Sequence, residues 1–122
     1  MTKVLIIDDS SLTREFFSHI VKAAGLTCVT AADGMEGLEK TMTEKFHIIL
    51  TDVNMQGMDG YEFTRRVRQN PDYDEVPIII ISTEAKEHDK QKGFSAGANL
   101  YLVKPTDAKG IVESMKMLLG TR

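Results

Sequence analysis

Val4-Leu5-Ile6-Ile7-Asp8-Asp9 is a run of four aliphatic residues that stops abruptly on two carboxylates. A strand with one face in water would alternate apolar and polar residues. This run does not alternate, so it reads as a strand covered on both faces, as in a parallel sheet. It is far too short for a signal peptide or a membrane span. Outward from it, similar segments recur at residues 28–30, 48–51, 78–81 and 100–103, and residues 78–81 are again apolar throughout.

Stretches of helical period lie between these runs. Leu12, Phe16 and Ile20 recur every four residues, with Thr13, Phe17, Val21 and Ala24 beside them and Gly25 as a stop. Asp33, with Glu36 three residues on, reads as a capping box for a helix marked by Leu38 and Met42. Phe63 and Val67 mark a third helix, ending before Asn70-Pro71. A polar fourth is expected from about residue 85 to 96, closed by Gly97, and Ile111, Met115, Leu118 and Leu119 stripe a fifth ahead of Gly120. Strand then helix, five times over, implies an α/β fold: a doubly wound parallel sheet with helices on both faces.

The length of 122 residues, with 42% hydrophobic and 27% charged, suits one globular domain and leaves no room for a second. Residues 1–122 are therefore expected to form a single domain with no output domain. The net charge of −3 is spread along the chain, which argues against nucleic acid as a partner. Cys28 is the only cysteine; it reads as a small apolar residue in a reduced, cytoplasmic setting, with no membrane association.

In doubly wound sheets, chemistry sits beyond the carboxyl ends of the strands. There the sequence has Asp8 and Asp9, then Asp52, then Ser82 and Thr83, then Lys104 and Pro105. Three carboxylates sharing a pocket repel one another, and a hard divalent cation such as Mg²⁺ would relieve the conflict. A carboxylate beside that ion can attack a phosphoryl group and form an acyl phosphate. The lysine and the metal would offset charge on the transferring oxygens, and a hydroxyl could donate to one of them. Taken singly, each residue has a blander reading: Asp as a helix cap or turn residue, Ser or Thr as a cap, Lys as a solvated cation. Their joint appearance at four strand ends favours the chemical reading.

Four segments together resemble the bacterial two-component response regulator receiver family: Val4 to Asp9, Thr51-Asp52-Val53-Asn54-Met55 through Met58-Asp59-Gly60, Ile81-Ser82-Thr83-Glu84-Ala85, and Tyr101-Leu102-Val103-Lys104-Pro105. The resemblance covers essentially the whole chain and is closest to the family's free-standing, single-domain chemotaxis regulators. It implies a flavodoxin-like fold with five strands in the order 2-1-3-4-5 and five helices. It also implies that Asp52 is the phosphoacceptor and Lys104 the phosphoryl-binding lysine. Ser82, not Thr83, aligns with the switch hydroxyl, and Tyr101 with the aromatic that changes rotamer. Asp9 and Asp52 would hold Mg²⁺ directly, Asp8 through water, and Asn54 through its carbonyl. Asn54 and Glu84 would flank the path of the attacking water and tune dephosphorylation. The Lys104–Pro105 peptide would be cis.

The implied partners are a histidine kinase as phosphoryl donor and an effector such as a flagellar motor switch or a histidine phosphotransfer protein. The implied output face lies on the fourth helix, last strand and fifth helix, with Lys86, Lys90 and Tyr101 as expected contacts. The resemblance implies a signalling protein that catalyses its own phosphotransfer and dephosphorylation only, and is otherwise no enzyme. Three departures from the family pattern stand out: Gln56-Gly57 where a proline is common, Val53 in place of a tryptophan, and Thr106 where an aromatic is common.

Other functions compete. A phosphorelay shuttle would return the phosphoryl group to a histidine phosphotransfer protein. An aspartyl-phosphate phosphatase wants a second Asp two residues beyond the first, where this chain has Asn54. A flavin module needs a phosphate-binding loop after the first strand, where Asp8 and Asp9 would repel the phosphate. A degenerate receiver that only binds partners fits poorly with the full set of site residues.

Overall fold

A computed structural model describes residues 2–120. In chain order the elements are β1 (Lys3–Ile7), α1 (Ser11–Ala23), β2 (Thr27–Ala31), α2 (Gly34–Thr43), β3 (Ile48–Thr51), α3 (Gly60–Val67), a 3-10 turn (Pro71–Tyr73), β4 (Ile78–Ser82), α4 (Glu87–Ala96), β5 (Leu100–Val103) and α5 (Ala108–Leu119). All strand pairings are parallel and the sheet order is β2-β1-β3-β4-β5, the flavodoxin-like arrangement expected. Among the described residues no helix is long and apolar enough to cross a membrane.

The unbroken apolar runs are explained by burial on both faces. Val4, Ile6, Ile48, Leu50, Ile79 and Ile81 face Phe17, Ile20 and Val21 of α1 and Ile111 and Met115 of α5. The intervening Leu5, Ile7, Ile49 and Ile78 face the other way, against Phe63, Val67, Met58 and Tyr73. Each fully buried aliphatic side chain contributes about 1.5–3 kcal/mol relative to exposure, so the central strands anchor both layers. Helix ends follow local chemistry: Asp33, Asp59 and Asp107 accept from the backbone N–H three residues on, and Gly97 and Gly120 close α4 and α5 in the left-handed conformation.

The inward faces of two helices differ from expectation. Leu12 is 76% exposed and Phe16 is also exposed, while Phe17, Ile20 and Val21 face the sheet. A strict four-residue repeat drifts off a 3.6-residue helix, and the core follows the i, i+3, i+4 pattern instead. On α2, Met42 is 75% exposed and the packed face comprises Gly34, Gly37 and Thr41, with Leu38 partly buried. A Cβ on Gly37 would come within 2.9 Å of the Phe63 ring; the helix lies that close because the residue is small.

Two caps also differ. Glu36 Oε1 accepts from the Ala32 N–H rather than that of Asp33, so the α2 box reaches one residue further back. Helix α4 begins at Glu87 rather than residue 85. Its approach is fixed by side chains: Ser82 Oγ accepts from Glu84 N–H and Asp89 Oδ2 from Lys86 N–H. Cys28 is partly buried against the α1–α5 side of the core.

Candidate functional site

Parallel pairing with β3 at the centre, between β1 and β4, brings the strand ends together. Asp52 N–H donates to the Ile7 carbonyl at 2.9 Å, which sets Asp52 beside Asp8. Across the sheet Ser82 is in register with Val103, and Lys104 N–H donates to the Ser82 carbonyl at 2.7 Å. The four predicted strand ends thus meet at one edge. The Lys104–Pro105 peptide is cis.

One carboxylate oxygen from each of Asp8, Asp9 and Asp52 lies within 4.8 Å of the others. Asp8 is 2% exposed; its Oδ1 accepts from Ser10 N–H at 2.9 Å and its Oδ2 from Lys104 Nζ at 2.9 Å. Asp52 Oδ1 accepts from Val53 N–H at 2.8 Å, and its Oδ2 is 3.6 Å from the same ammonium. Asp9 is exposed at the rim. Burial pushes the Asp52 carboxyl above its ordinary value, and Asp8 and Asp9 push the same way. Lys104 and the Val53 N–H pull against them without winning. One ammonium therefore serves two buried carboxylates and does not offset the effect of burial on Asp52. Hard oxygen donors with unmatched negative charge suit a small divalent cation such as Mg²⁺.

A second group of expected residues forms a hydrogen-bonded chain beside the cluster, centred on Glu84. Its Oε1 accepts from Asn54 Nδ2 at 3.2 Å, its N–H donates to Ser82 Oγ at 3.0 Å, and its carbonyl accepts from the Tyr101 hydroxyl at 2.7 Å. Ser82 is wholly buried whereas Thr83 is exposed. Ser82 Oγ makes no hydrogen bond to Asp52 in this conformation. Tyr101 is only 8% exposed, in a cluster with Val53, Tyr61, Ile80, Ala96 and Ala98. Turned inward, its ring offers little surface in this conformation. Lys86 remains exposed and Lys90 partly so.

Arg14 is a site residue that carries no signal in the sequence. Its guanidinium donates from Nη1 to the Asp8 carbonyl at 2.7 Å and so fixes the backbone that carries the carboxylate. An arginine in the first turns of a helix reads as solvated until the helix is placed. Thr51 Oγ1 similarly braces the Asp52 carbonyl at 2.9 Å.

With the geometry in place, known proteins give a consistent comparison. The family model for the response regulator receiver domain matches residues 4–116. Over 121 residues the chain is 33% identical to chemotaxis protein CheY1 of Helicobacter pylori, covering 98% of each. It is 40% identical over 102 residues to a gliding motility regulatory protein of Myxococcus xanthus; that match takes in 84% of this chain but 13% of the relative. Among solved structures, chemotaxis protein CheY4 of Vibrio cholerae superposes with a TM-score of 0.93 at 39% identity, over 97% of this chain and 98% of that one.

Proposed function

Because this chain belongs to the response regulator receiver domain family, we propose that it is a phosphorylation switch in chemotaxis or motility signalling, with Asp52 as phosphoacceptor. The observation that carries the proposal is the cluster itself: three carboxylates within 4.8 Å and an ammonium 2.9 and 3.6 Å from two of them. The donor would be a phosphohistidine on a histidine kinase. An Asp52 carboxylate oxygen attacks phosphorus, the new O–P bond forms as the N–P bond breaks, and the bonding pair leaves with the imidazole nitrogen. Lys104 Nζ, 2.9 Å from Asp8 and 3.6 Å from Asp52, would follow the charge onto the phosphoryl oxygens. Asp9 and Asp52 would hold Mg²⁺ directly, Asp8 through water, and Asn54 through its carbonyl. When bound, Mg²⁺ supplies positive charge that relieves the carboxylate repulsion and screens the phosphoryl oxygens.

Asn54 and Glu84 cross the mouth of the site as a hydrogen-bonded pair. They would order or exclude the water that hydrolyses the acyl phosphate, and so set the lifetime of the signal. Ser82 would exchange its Glu84 N–H contact for one with the phosphoryl group, and Tyr101 would follow because its hydroxyl is tied to the same residue. Driving such an equilibrium from 1:99 to 99:1 takes roughly 5.5 kcal/mol of differential stabilisation. A new charge-assisted hydrogen bond contributes about 1.5–3 kcal/mol, so phosphorylation shifts the population partway and the effector completes the shift.

Intact-mass measurement after incubation with acetyl phosphate and Mg²⁺ tests this. One added phosphoryl group is expected, lost in Asp52→Asn and on chelation of the metal. Retention of the adduct in Asp52→Asn would remove Asp52 from the role.

A further inference from the structure

Tyr61, the second residue of α3, lies outside the carboxylate cluster and the Glu84-centred chain, yet it touches α4 twice. Its hydroxyl donates to the Asp89 carbonyl at 3.2 Å, and Lys92 Nζ lies 4.7 Å from the centroid of its ring. Asp89 and Lys92 both belong to α4. The ring is buried in the cluster that holds Tyr101, and the two phenols are adjacent. Together they hold two carbonyls five residues apart, Glu84 by Tyr101 and Asp89 by Tyr61. The segment leading into α4 is therefore anchored at both ends by aromatic hydroxyls.

The anchors differ in what stands behind them. Tyr101 is tied to the site through Glu84, whose N–H is held by Ser82. Tyr61 is tied through the backbone of the phosphoacceptor itself. Its neighbour Gly60 donates its N–H to the Val53 carbonyl at 2.9 Å and packs so closely on the Asp52–Val53 peptide that a Cβ would lie 2.9 Å from Val53 Cα. The first turn of α3 cannot stay fixed while that peptide moves.

Resting on the switch reading above, we propose that Tyr61 is a positioning residue that carries displacement of the Asp52 peptide to the first turn of α4 by a route that does not pass through Ser82. Two discrete connections would then act on one helix, and proof of the coupling requires that each be cut separately.

The test is hydrogen exchange, followed by mass spectrometry, on peptides spanning residues 84–92. It compares protein with and without acetyl phosphate and Mg²⁺, with phosphoryl occupancy checked by intact mass. Tyr61→Phe keeps the ring and removes the hydroxyl. It is expected to accept the phosphoryl group as the parent does, while the exchange-rate ratio between the two forms shrinks about fivefold, as for one neutral hydrogen bond. Ser82→Ala should keep a residual response that disappears in Ser82→Ala/Tyr61→Phe. A full parental response in Tyr61→Phe overturns the proposal, as does a double variant no different from Ser82→Ala. No response in the parent, despite full phosphorylation, would instead overturn the switch reading itself.

Discussion

Replacing Gly60 by alanine should damage the protein out of proportion to the one methyl group added. In most helices glycine to alanine is stabilising by up to about 1 kcal/mol. Here the new Cβ would fall 2.9 Å from both the Asp52 carbonyl carbon and Val53 Cα, and closer still to the Asp52 carbonyl oxygen. Ordinary contact needs 3.4–4 Å, and every neighbour is backbone, which cannot rotate aside. Overpacking costs about 1–3 kcal/mol, and losing the Gly60 N–H to Val53 carbonyl bond adds about 1 kcal/mol. Set against the propensity gain of about 1 kcal/mol, Gly60→Ala should destabilise by roughly 1–3 kcal/mol. Urea unfolding followed by circular dichroism would measure this. Gly25→Ala is the control, because Gly25 has φ +84° but no atom within 4 Å of a Cβ; strain alone should cost it about 1 kcal/mol. Because the clash is with the proposed phosphoacceptor, Gly60→Ala should also slow labelling by acetyl phosphate, and Gly25→Ala should not. A Gly60→Ala protein as stable and as readily labelled as its parent would refute the close packing of α3 on the Asp52 peptide.

Two further outcomes follow from groups that are not members of the carboxylate cluster. Arg68 donates to the carbonyls of Gly97, Tyr73 and Val76 and to Asn99 Oδ1, joining the end of α3 to both neighbouring loops; Arg68→Met should lower stability by about 3 kcal/mol and Arg68→Lys should recover less than half of it, read from urea midpoints. Burial pushes the Tyr61 and Tyr73 phenols above their ordinary value, so each contributes stability that is present below about pH 10 and is lost as pH rises, because the unfolded phenols ionise first. Urea midpoints between roughly pH 9 and 11 should therefore fall, and Tyr61→Phe or Tyr73→Phe should flatten the fall by up to about 1.4 kcal/mol per pH unit for each group.

The strands were legible because a parallel sheet covered on both faces demands unbroken apolar runs, and Val4 to Ile7 has little else to be. The cluster was legible because strand ends are short segments with a known place in the fold, so Asp8, Asp9, Asp52 and Lys104 could be brought together without coordinates. Helix orientation was harder to read. Leu12 and Phe16 are as apolar as Phe17 and Ile20, and only packing distinguishes the face that meets the sheet. What depends on that orientation stayed hidden with it: Arg14 reaching the Asp8 carbonyl, Tyr61 reaching α4, Arg68 spanning four acceptors. These contacts join residues 5 to 31 positions apart, and no local pattern encodes them.

The two-faced burial of β1, β3 and β4 has a corollary for assembly. In a sheet with one wet side, slipping a strand by one residue is punished at every position, because oily side chains swing into water. Strands that are aliphatic everywhere but at one end lose most of that safeguard: a slipped Ile78–Ser82 would still be greasy on both sides. The misaligned chain would be betrayed only at its tips, where Ser82 would leave Glu84 or Asp52 would leave the Ile7 carbonyl. The polar tips that form the candidate site are thus also the notches by which the strands find their alignment, and a substitution there threatens correct threading as well as the proposed chemistry.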